Sequence, residues 1–336
     1  MPEGAGPVLV LRHEACLGHV AGYAHPERPE RVEAVLGGIR DAGLGDVVAE
    51  VEARRATTEE LVLVHPPGFI DALRRFCERG GGPITLDTAA SEGSWEAALR
   101  AAGAVLQAAE AEQNAFCAVR PPGHHATGAA AQGFCLFNNV AVAAAHLAER
   151  GERVLIVDWD VHHGNGTQDT FYDDDRVLYV SMHQSPLYPF TGRLEETGQG
   201  RGEGCTVNLP VPAGATGDVY QAAMDVVEAA AMAFAPTWVL VSAGFDSHRD
   251  DILEDTALAL SSGDFAALTR RCLGLAPPGH CVVALEGGYD LDALANSAAA
   301  CVAVLAGDRD FQPAEPPTRG GPGMEVVEAV ARRLSA

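Results

Sequence analysis

The sequence predicts an α/β protein built on a mostly parallel, doubly wound sheet. Three observations predict it. Short, β-branched apolar runs recur along the chain, alanine-rich helical segments separate them, and polar clusters follow directly where the runs end. The runs are VLVL at 8–11, AFCAV at 115–119, RVLIVDW at 153–159, VLYVSM at 177–182, WVLVSA at 238–243 and CVVALE at 281–286. Their near-continuous hydrophobicity suits strands covered on both faces. Helical character occupies 94–112, 138–150, 218–234, 264–275 and 291–305, and such alternation favours parallel strands.

The remaining elements follow from local signals. HPERPERVEAVLGGIRDAG at 25–43 predicts an early helix with Pro29 in its first turn, apolar positions at Val32, Val35, Leu36 and Ile39, and Gly43 as its stop. A Pro/Gly-rich stretch at 311–323 reads as a linker. Beyond it, Val326, Val327, Val330 and Leu334 recur at helical spacing, so 324–336 reads as a helix docked on the domain formed by 1–310.

Composition bounds the function. The 336 residues are 47% apolar, enough for a large core. No apolar run approaches the roughly 20 residues of a membrane helix, and the start, MPEGAGPVLVLRHE, lacks the basic and apolar regions of a secretory signal. The expectation is a soluble, cytoplasmic protein that does not engage membranes. The formal net charge of −23 argues against direct nucleic-acid binding; it reads as solubility, or else as a field that attracts cationic substrates. There is no lysine, which excludes a Walker-A lysine, a Schiff base and a lysine nucleophile. Eight cysteines without a CxxC pair do not form a disulfide framework; Cys135 stands out by its place next to a histidine pair.

In open parallel sheets ligands bind beyond the carboxyl ends of the strands. After AFCAV comes RPPGHHA with His124 and His125. After RVLIV comes DWDVHHGNG with Asp158, Asp160, His162 and His163. After WVLV comes SAGFDSHRDD with Asp246, and after CVVAL comes EGGYD with Tyr289. Four strands thus deliver acids, imidazoles and a phenol to one rim. Asp158, Asp160 and His162 are spaced i, i+2, i+4 and share a face if the strand persists that far. Several carboxylates buried together need a cation, and Asp plus His with a third ligand from a distant loop suits a divalent ion with an open position. Asp246 supplies that third ligand, or else caps the following segment. Arg249, Asp250 and Asp251 read as loop solvation and local ion pairs. The adjacent histidines in an ordered loop suit acid–base work near neutral pH, while His163 reads as structural. A phenol after two glycines could donate to a polarised carbonyl. GxSxG and HExxH are absent, and GNG at 164–166 lacks the third glycine of a dinucleotide loop.

Together, RPPGHHA, GFCLFNN, VDWDVHHGNGTQ, SAGFDSHRDD and LEGGYD resemble the histone deacetylase superfamily, including bacterial class II-like deacetylases and acetylpolyamine amidohydrolases. The likeness runs in order from about 25 to 293. It implies an arginase–deacetylase fold with a parallel sheet of about eight strands. It implies zinc on Asp160, His162 and Asp246; two aspartates and a histidine also admit iron(II). His125 would be the general base and later the acid, with His124 its electrostatic partner. Asp158 would orient His124 and hold a structural potassium ion with the Ser181 hydroxyl and carbonyls including that of Met182. Asn165 stands where many members place an aspartate beside the second histidine; asparagine there resembles the class II branch. Tyr289 would hydrogen-bond the scissile carbonyl. Gly133, Phe134 and Phe190 would wall a substrate tunnel. Asp87 falls where a substrate-clamping aspartate is expected; its other reading is a loop cap. Leu253 falls at a gate position, in a loop that departs from the usual DPLG, and leucine there favours acetyl-lysine-like substrates. The implied activity is deacylation of acetylated lysine side chains or acetylated small amines. The oligomeric state, a homo-oligomer included, stays open.

Overall fold

Burial on both faces is what turns the apolar runs into a central sheet. The computed structural model describes residues 7–334; the first six residues and the last two of the expected 324–336 helix lie outside them. The strands are β1 (Val8–Arg12), β2 (Val48–Glu52), β3 (Gly81–Pro83), β4 (Ala89–Ser91), β5 (Ala115–Cys117), β6 (Val154–Asp158), β7 (Val177–Gln184), β8 (Thr206–Val211), β9 (Trp238–Ala243) and β10 (Cys281–Leu285). Eight of them form one sheet in the order β2-β1-β5-β10-β9-β6-β7-β8, and every pairing is parallel. β3 and β4 make a separate antiparallel hairpin.

Successive side chains go to opposite faces, as the two-residue period of a strand requires. Leu155 and Val157 of β6 join one core cluster, while Val154 and Ile156 join the other. The helices are α1 (Glu30–Asp41), α2 (Thr58–Leu61), α3 (Pro67–Glu78), α4 (Ser94–Glu110), α5 (Asn139–Glu149), α6 (Asn165–Phe171), α7 (Gly217–Phe234), α8 (Ser262–Leu273), α9 (Leu291–Leu305) and α10 (Met324–Leu334). One face is covered by α7, α8, α9, α10 and part of α1, the other by α3, α4 and α5. The segment between α9 and α10 is tied to the N-terminus of α8: Ser262 Oγ accepts the Glu315 N–H (3.1 Å) and Asp264 Oδ2 accepts the Thr318 hydroxyl (2.8 Å).

The six apolar runs are all strands. The two edge strands carry weaker signals. In β2 the residues are only half-buried or exposed, and β8 contains Pro210, which an edge tolerates. No described helix is long and apolar enough to cross a membrane. All eight cysteines are free thiols.

The four strands expected to deliver polar residues, β5, β10, β9 and β6, are neighbours at the centre of the sheet. Because all run the same way, their carboxyl ends open on one rim.

Candidate active site

β6 stops at Asp158, so the expected run of three same-face side chains does not form. Asp158 Oδ1 accepts the Asp160 N–H (3.1 Å), and Asp160 Oδ1 accepts the His162 N–H (2.9 Å). Two successive aspartate turns of this kind bend the backbone off the sheet. Asp158 therefore turns toward His124 and Tyr179, while Asp160 and His162 turn toward Asp246.

Asp160, His162 and Asp246 bring one ligand atom each to within 4.8 Å of one another. His162 Nδ1 lies 3.1 Å from Asp160 Oδ1 and 3.3 Å from Asp246 Oδ2. Asp246 Oδ1 accepts the Val161 N–H (3.1 Å), but its Oδ2 is buried without a hydrogen-bond partner. Burial and the neighbouring Asp160 charge push the Asp246 carboxyl up to about 7. Burial would lower His162, but the two carboxylates push it up to about 9. An orphaned buried oxygen and two like charges converging on an imidazole nitrogen fit a divalent cation. A Cβ on Gly244 would collide with the Asp160 carboxylate, and one on Gly287 with that of Asp246. Both glycines make room for the close approach. Another described grouping, His248, Asp250 and Glu315, already has its charge paired, because Arg249 and His248 both sit on Glu315.

The RPPGHHA loop is held from below by Glu286, whose Oε2 accepts the N–H groups of Gly123 (2.6 Å) and His124 (3.1 Å). Burial pushes Glu286 up to about 7. His124 Nδ1 lies 3.0 Å from Asp158 Oδ2, and His125 Nδ1 lies 2.9 Å from Asn165 Oδ1 at the start of α6. The two imidazoles differ in consequence. Burial would lower His124, but Asp160 and Asp158 hold it well above the usual histidine range. Burial lowers His125 well below that range, and the neighbouring His124 and His162 add to the effect. His163 is buried between Thr191 Oγ1 (2.7 Å) and Gln168 Oε1 (3.0 Å), a structural place.

Of these groups His124, His125, Asp160 and His162 line a cavity of about 200 Å³, together with Tyr289, Asp87, Gly133, Phe134 and Leu253. Gly133 and Phe134 are in the left-handed region (φ 55° and 67°), and the Phe134 N–H donates to Thr88 Oγ1 (2.9 Å). The Phe134 ring stands edge-on to Tyr289 at 5.9 Å and to His25 at 4.5 Å. Asp87 is held by the Thr85 and Thr88 hydroxyls. Cys135 is inert: its thiol donates to the Gly133 carbonyl, and burial raises it well above the ordinary value.

Phe190 is not brought to this cavity. It is 74% exposed, and Tyr188, two residues earlier in the same SPLYPF segment, lines the wall instead. Tyr188 stands edge-on to His125 at 5.1 Å and to His162 at 6.2 Å. The segment turns through a left-handed Phe190 (φ 63°), so its two aromatics point to different places. Ser181 faces Asp158 across the β6–β7 register, and Met182 offers its carbonyl to the Tyr220 hydroxyl (3.1 Å). Sequence reasoning missed Tyr188, Glu286 and Glu254, which lines the cavity next to Leu253. It also misjudged Asp251. That residue is no mere loop charge, because its carboxylate accepts the Tyr289 N–H (2.6 Å).

The fold and the donor set define an α/β protein that carries, at the carboxyl ends of its central strands, a carboxylate–histidine site suited to a divalent cation. The chain belongs to the histone deacetylase family: the family's histone deacetylase domain matches residues 25–305. It is 39% identical to a probable deacetylase of Archaeoglobus fulgidus, over 89% of this chain and 86% of the relative. It is 40% identical to histone deacetylase 15 of Arabidopsis thaliana, over 86% of this chain but 54% of that protein. With histone deacetylase HDA1 of Saccharomyces cerevisiae it shares 36% identity, over 91% of this chain and 48% of the relative. The crystal structure of the HDA15 HD domain superposes with a TM-score of 0.89 at 37% identity, covering 98% of this chain and 95% of that one. Family membership supports a hydrolytic deacetylase activity.

Proposed function

We propose that this protein is a zinc-dependent amidohydrolase that removes acetyl or other acyl groups from lysine-like amines. The observation that carries the reading is the convergence of the Asp160, His162 and Asp246 donors beneath a narrow cavity shared with His125 and Tyr289. Zinc, or iron(II) on the same donors, would supply Lewis acidity, polarising an amide carbonyl and lowering the pKa of water toward about 7.

The chain's own residues do the rest. With Asn165 Oδ1 accepting from His125 Nδ1, the Nε2 of His125 keeps its lone pair and takes a proton from the attacking water. The same nitrogen then returns the proton to the leaving amine. His124, whose pKa burial would lower but Asp160 and Asp158 raise, would as the imidazolium stabilise the negative charge that develops nearby. The Tyr289 hydroxyl donates to the oxyanion; removing such a donor costs on the order of 10²–10³ in rate. Gly133, Phe134 and Tyr188 enclose the alkyl chain, Asp87 accepts an N–H of the substrate, and Leu253 closes the lip. A structural potassium ion on Asp158, Ser181 and the Met182 carbonyl is supported by the register that pairs Asp158 with Ser181. A cytoplasmic location is supported by the eight free cysteines.

One observation favours a second reading, acetylpolyamine deacetylation: Glu254 joins Asp87 along the cavity, and such an acidic pair suits cationic amines. The deciding experiment is a turnover panel of acetyl-lysine peptides, longer acyl-lysines, acetylputrescine and acetylspermidine with zinc-loaded and metal-free protein. Hydrolysis that requires metal is expected, and the ratio of peptide to polyamine turnover separates the two substrates. Metal binding without hydrolysis of any amide would overturn both and leave an acyl-lysine binder.

A further inference from the structure

The segment Glu286–Asp290 carries Tyr289 from the end of β10 into α9, and two groups hold it in complementary ways. Arg31 takes its carbonyls: Nε donates to Gly288 O (2.6 Å), Nη2 donates to Glu286 O, and the guanidinium carbon lies 4.9 Å from the centre of the Tyr289 ring. Asp251 takes its amides: Oδ2 accepts the N–H of Tyr289 (2.6 Å) and of Asp290 (3.2 Å). The second oxygen, Oδ1, accepts the N–H of Leu253 (3.0 Å). One carboxylate thus binds amides on two chain segments, one bearing the phenol and the other bearing Leu253 and Glu254 beside the cavity. Hydrogen bonds to an ionised acceptor are about twice as strong as neutral ones. The anchor matters because Gly287 and Gly288 precede Tyr289, and Gly288 is left-handed (φ 113°). Two residues without side chains give the backbone freedom that must be removed elsewhere.

We propose that Asp251 is a positioning residue for Tyr289: it fixes the backbone that aims the phenol into the cavity and joins it to the loop carrying Leu253. It does not touch the reacting atoms. The proposal rests on the reading of Tyr289 as the donor to the scissile carbonyl.

The test compares Asp251→Ala and Asp251→Asn, each alone and combined with Tyr289→Phe, as zinc-loaded full-length protein acting on an acetyl-lysine peptide. Zinc content and thermal midpoint are measured for every variant, along with amide hydrogen exchange of the 286–291 peptide. Asp251→Ala is expected to lower kcat by about 100-fold, the scale of a 1 Å misplacement, with KM within about threefold and zinc retained. Asp251→Asn keeps one acceptor oxygen and recovers roughly tenfold of that loss. In the Tyr289→Phe background Asp251→Ala changes kcat by less than about threefold, because no phenol remains to be aimed. Exchange in 286–291 accelerates in Asp251→Ala. Equal losses in both backgrounds, a loss confined to KM or zinc content, or unchanged exchange would overturn the proposal. Should Asp251→Ala not fold, Asp251→Asn carries the same comparison, with about a tenfold loss beside Tyr289 and none in the Tyr289→Phe background. Wild-type protein inactive on every acyl-amine would overturn the deacetylase reading alone, since the exchange measurement judges the anchor without turnover.

Discussion

Replacing Glu27 by glutamine removes the counter-ion of two buried arginines. Glu27 is 1% exposed, and Arg31 and Arg120 are fully buried. Its Oε1 accepts from Arg31 Nη1 (3.1 Å) and Arg120 Nε, and its Oε2 accepts from Arg120 Nη2 (2.7 Å). Their remaining contacts include neutral backbone carbonyls, Gly288 and Glu286 for Arg31, Cys16 and His19 for Arg120. Among the described residues Glu27 is the only carboxylate paired with either arginine. Glutamine keeps an acceptor oxygen but no charge, so the guanidiniums stay buried and uncompensated. Breaking a buried ion pair from one side costs about 3–5 kcal/mol. At about 2 °C per kcal/mol for a large domain, the thermal midpoint at pH 7 falls by about 6–10 °C. Acid dependence sharpens the test. Burial would raise the Glu27 pKa, but Arg120 and His19 outweigh it and hold the carboxyl well below the usual carboxylate range. A depressed folded pKa means the contribution is complete above the unfolded value of about 4.3 and is lost as pH falls from there through the folded value. Scanning calorimetry should therefore find a constant gap between wild type and Glu27→Gln from pH 8 to about 5, narrowing below about 4. A gap under about 2 °C at pH 7, or one that widens on acidification, would refute the reasoning.

Tyr289→Phe should lower kcat by about 10²–10³ while leaving zinc stoichiometry and the thermal midpoint unchanged, as read by steady-state kinetics and metal analysis. Tyr188→Ala should raise KM for acetyl-lysine peptides by about tenfold, since apolar surface covered by this half-buried ring contributes roughly 25 cal/mol per Å²; Phe190→Ala, at an exposed position outside the cavity, should leave KM within about twofold. Gly287→Ala drives a methyl against the Asp246 carboxylate and to 2.7 Å from Asp160 Oδ2. Competition with a zinc chelator should then show affinity weakened by about 10–100-fold, with secondary structure by circular dichroism unchanged.

Much of the site was legible because its residue types are costly to bury and sit in order at strand ends. The i, i+2, i+4 pattern at Asp158, Asp160 and His162 pointed to residues that the structure does gather near one another, but not along an extended strand. It assumed an extended strand, whereas each aspartate side chain captures the amide two residues on and turns the chain. The resemblance places Phe190 in the tunnel wall, whereas the structure puts Tyr188 there and leaves Phe190 exposed, because sequence order does not show which way a turn aims each aromatic. Asp251 was passed over because an aspartate in a charged loop gives no sign of an amide 38 residues away.

The sequence by itself determined that the chain forms a two-sided parallel sheet, because runs such as VLIV and WVLV are stable only when covered on both faces. It also determined which donors stand at the strand ends. Tertiary structure alone decided which donors meet. Inserting β9 and β10 between β5 and β6 pairs Val282 with Ala115 and Trp238 with Val154, residues far apart along the chain. That strand order brings Asp246 to Asp160 and Glu286 to the His124 amide, and local periodicity carries no trace of it, since periodicity reports burial and not which strand lies next door.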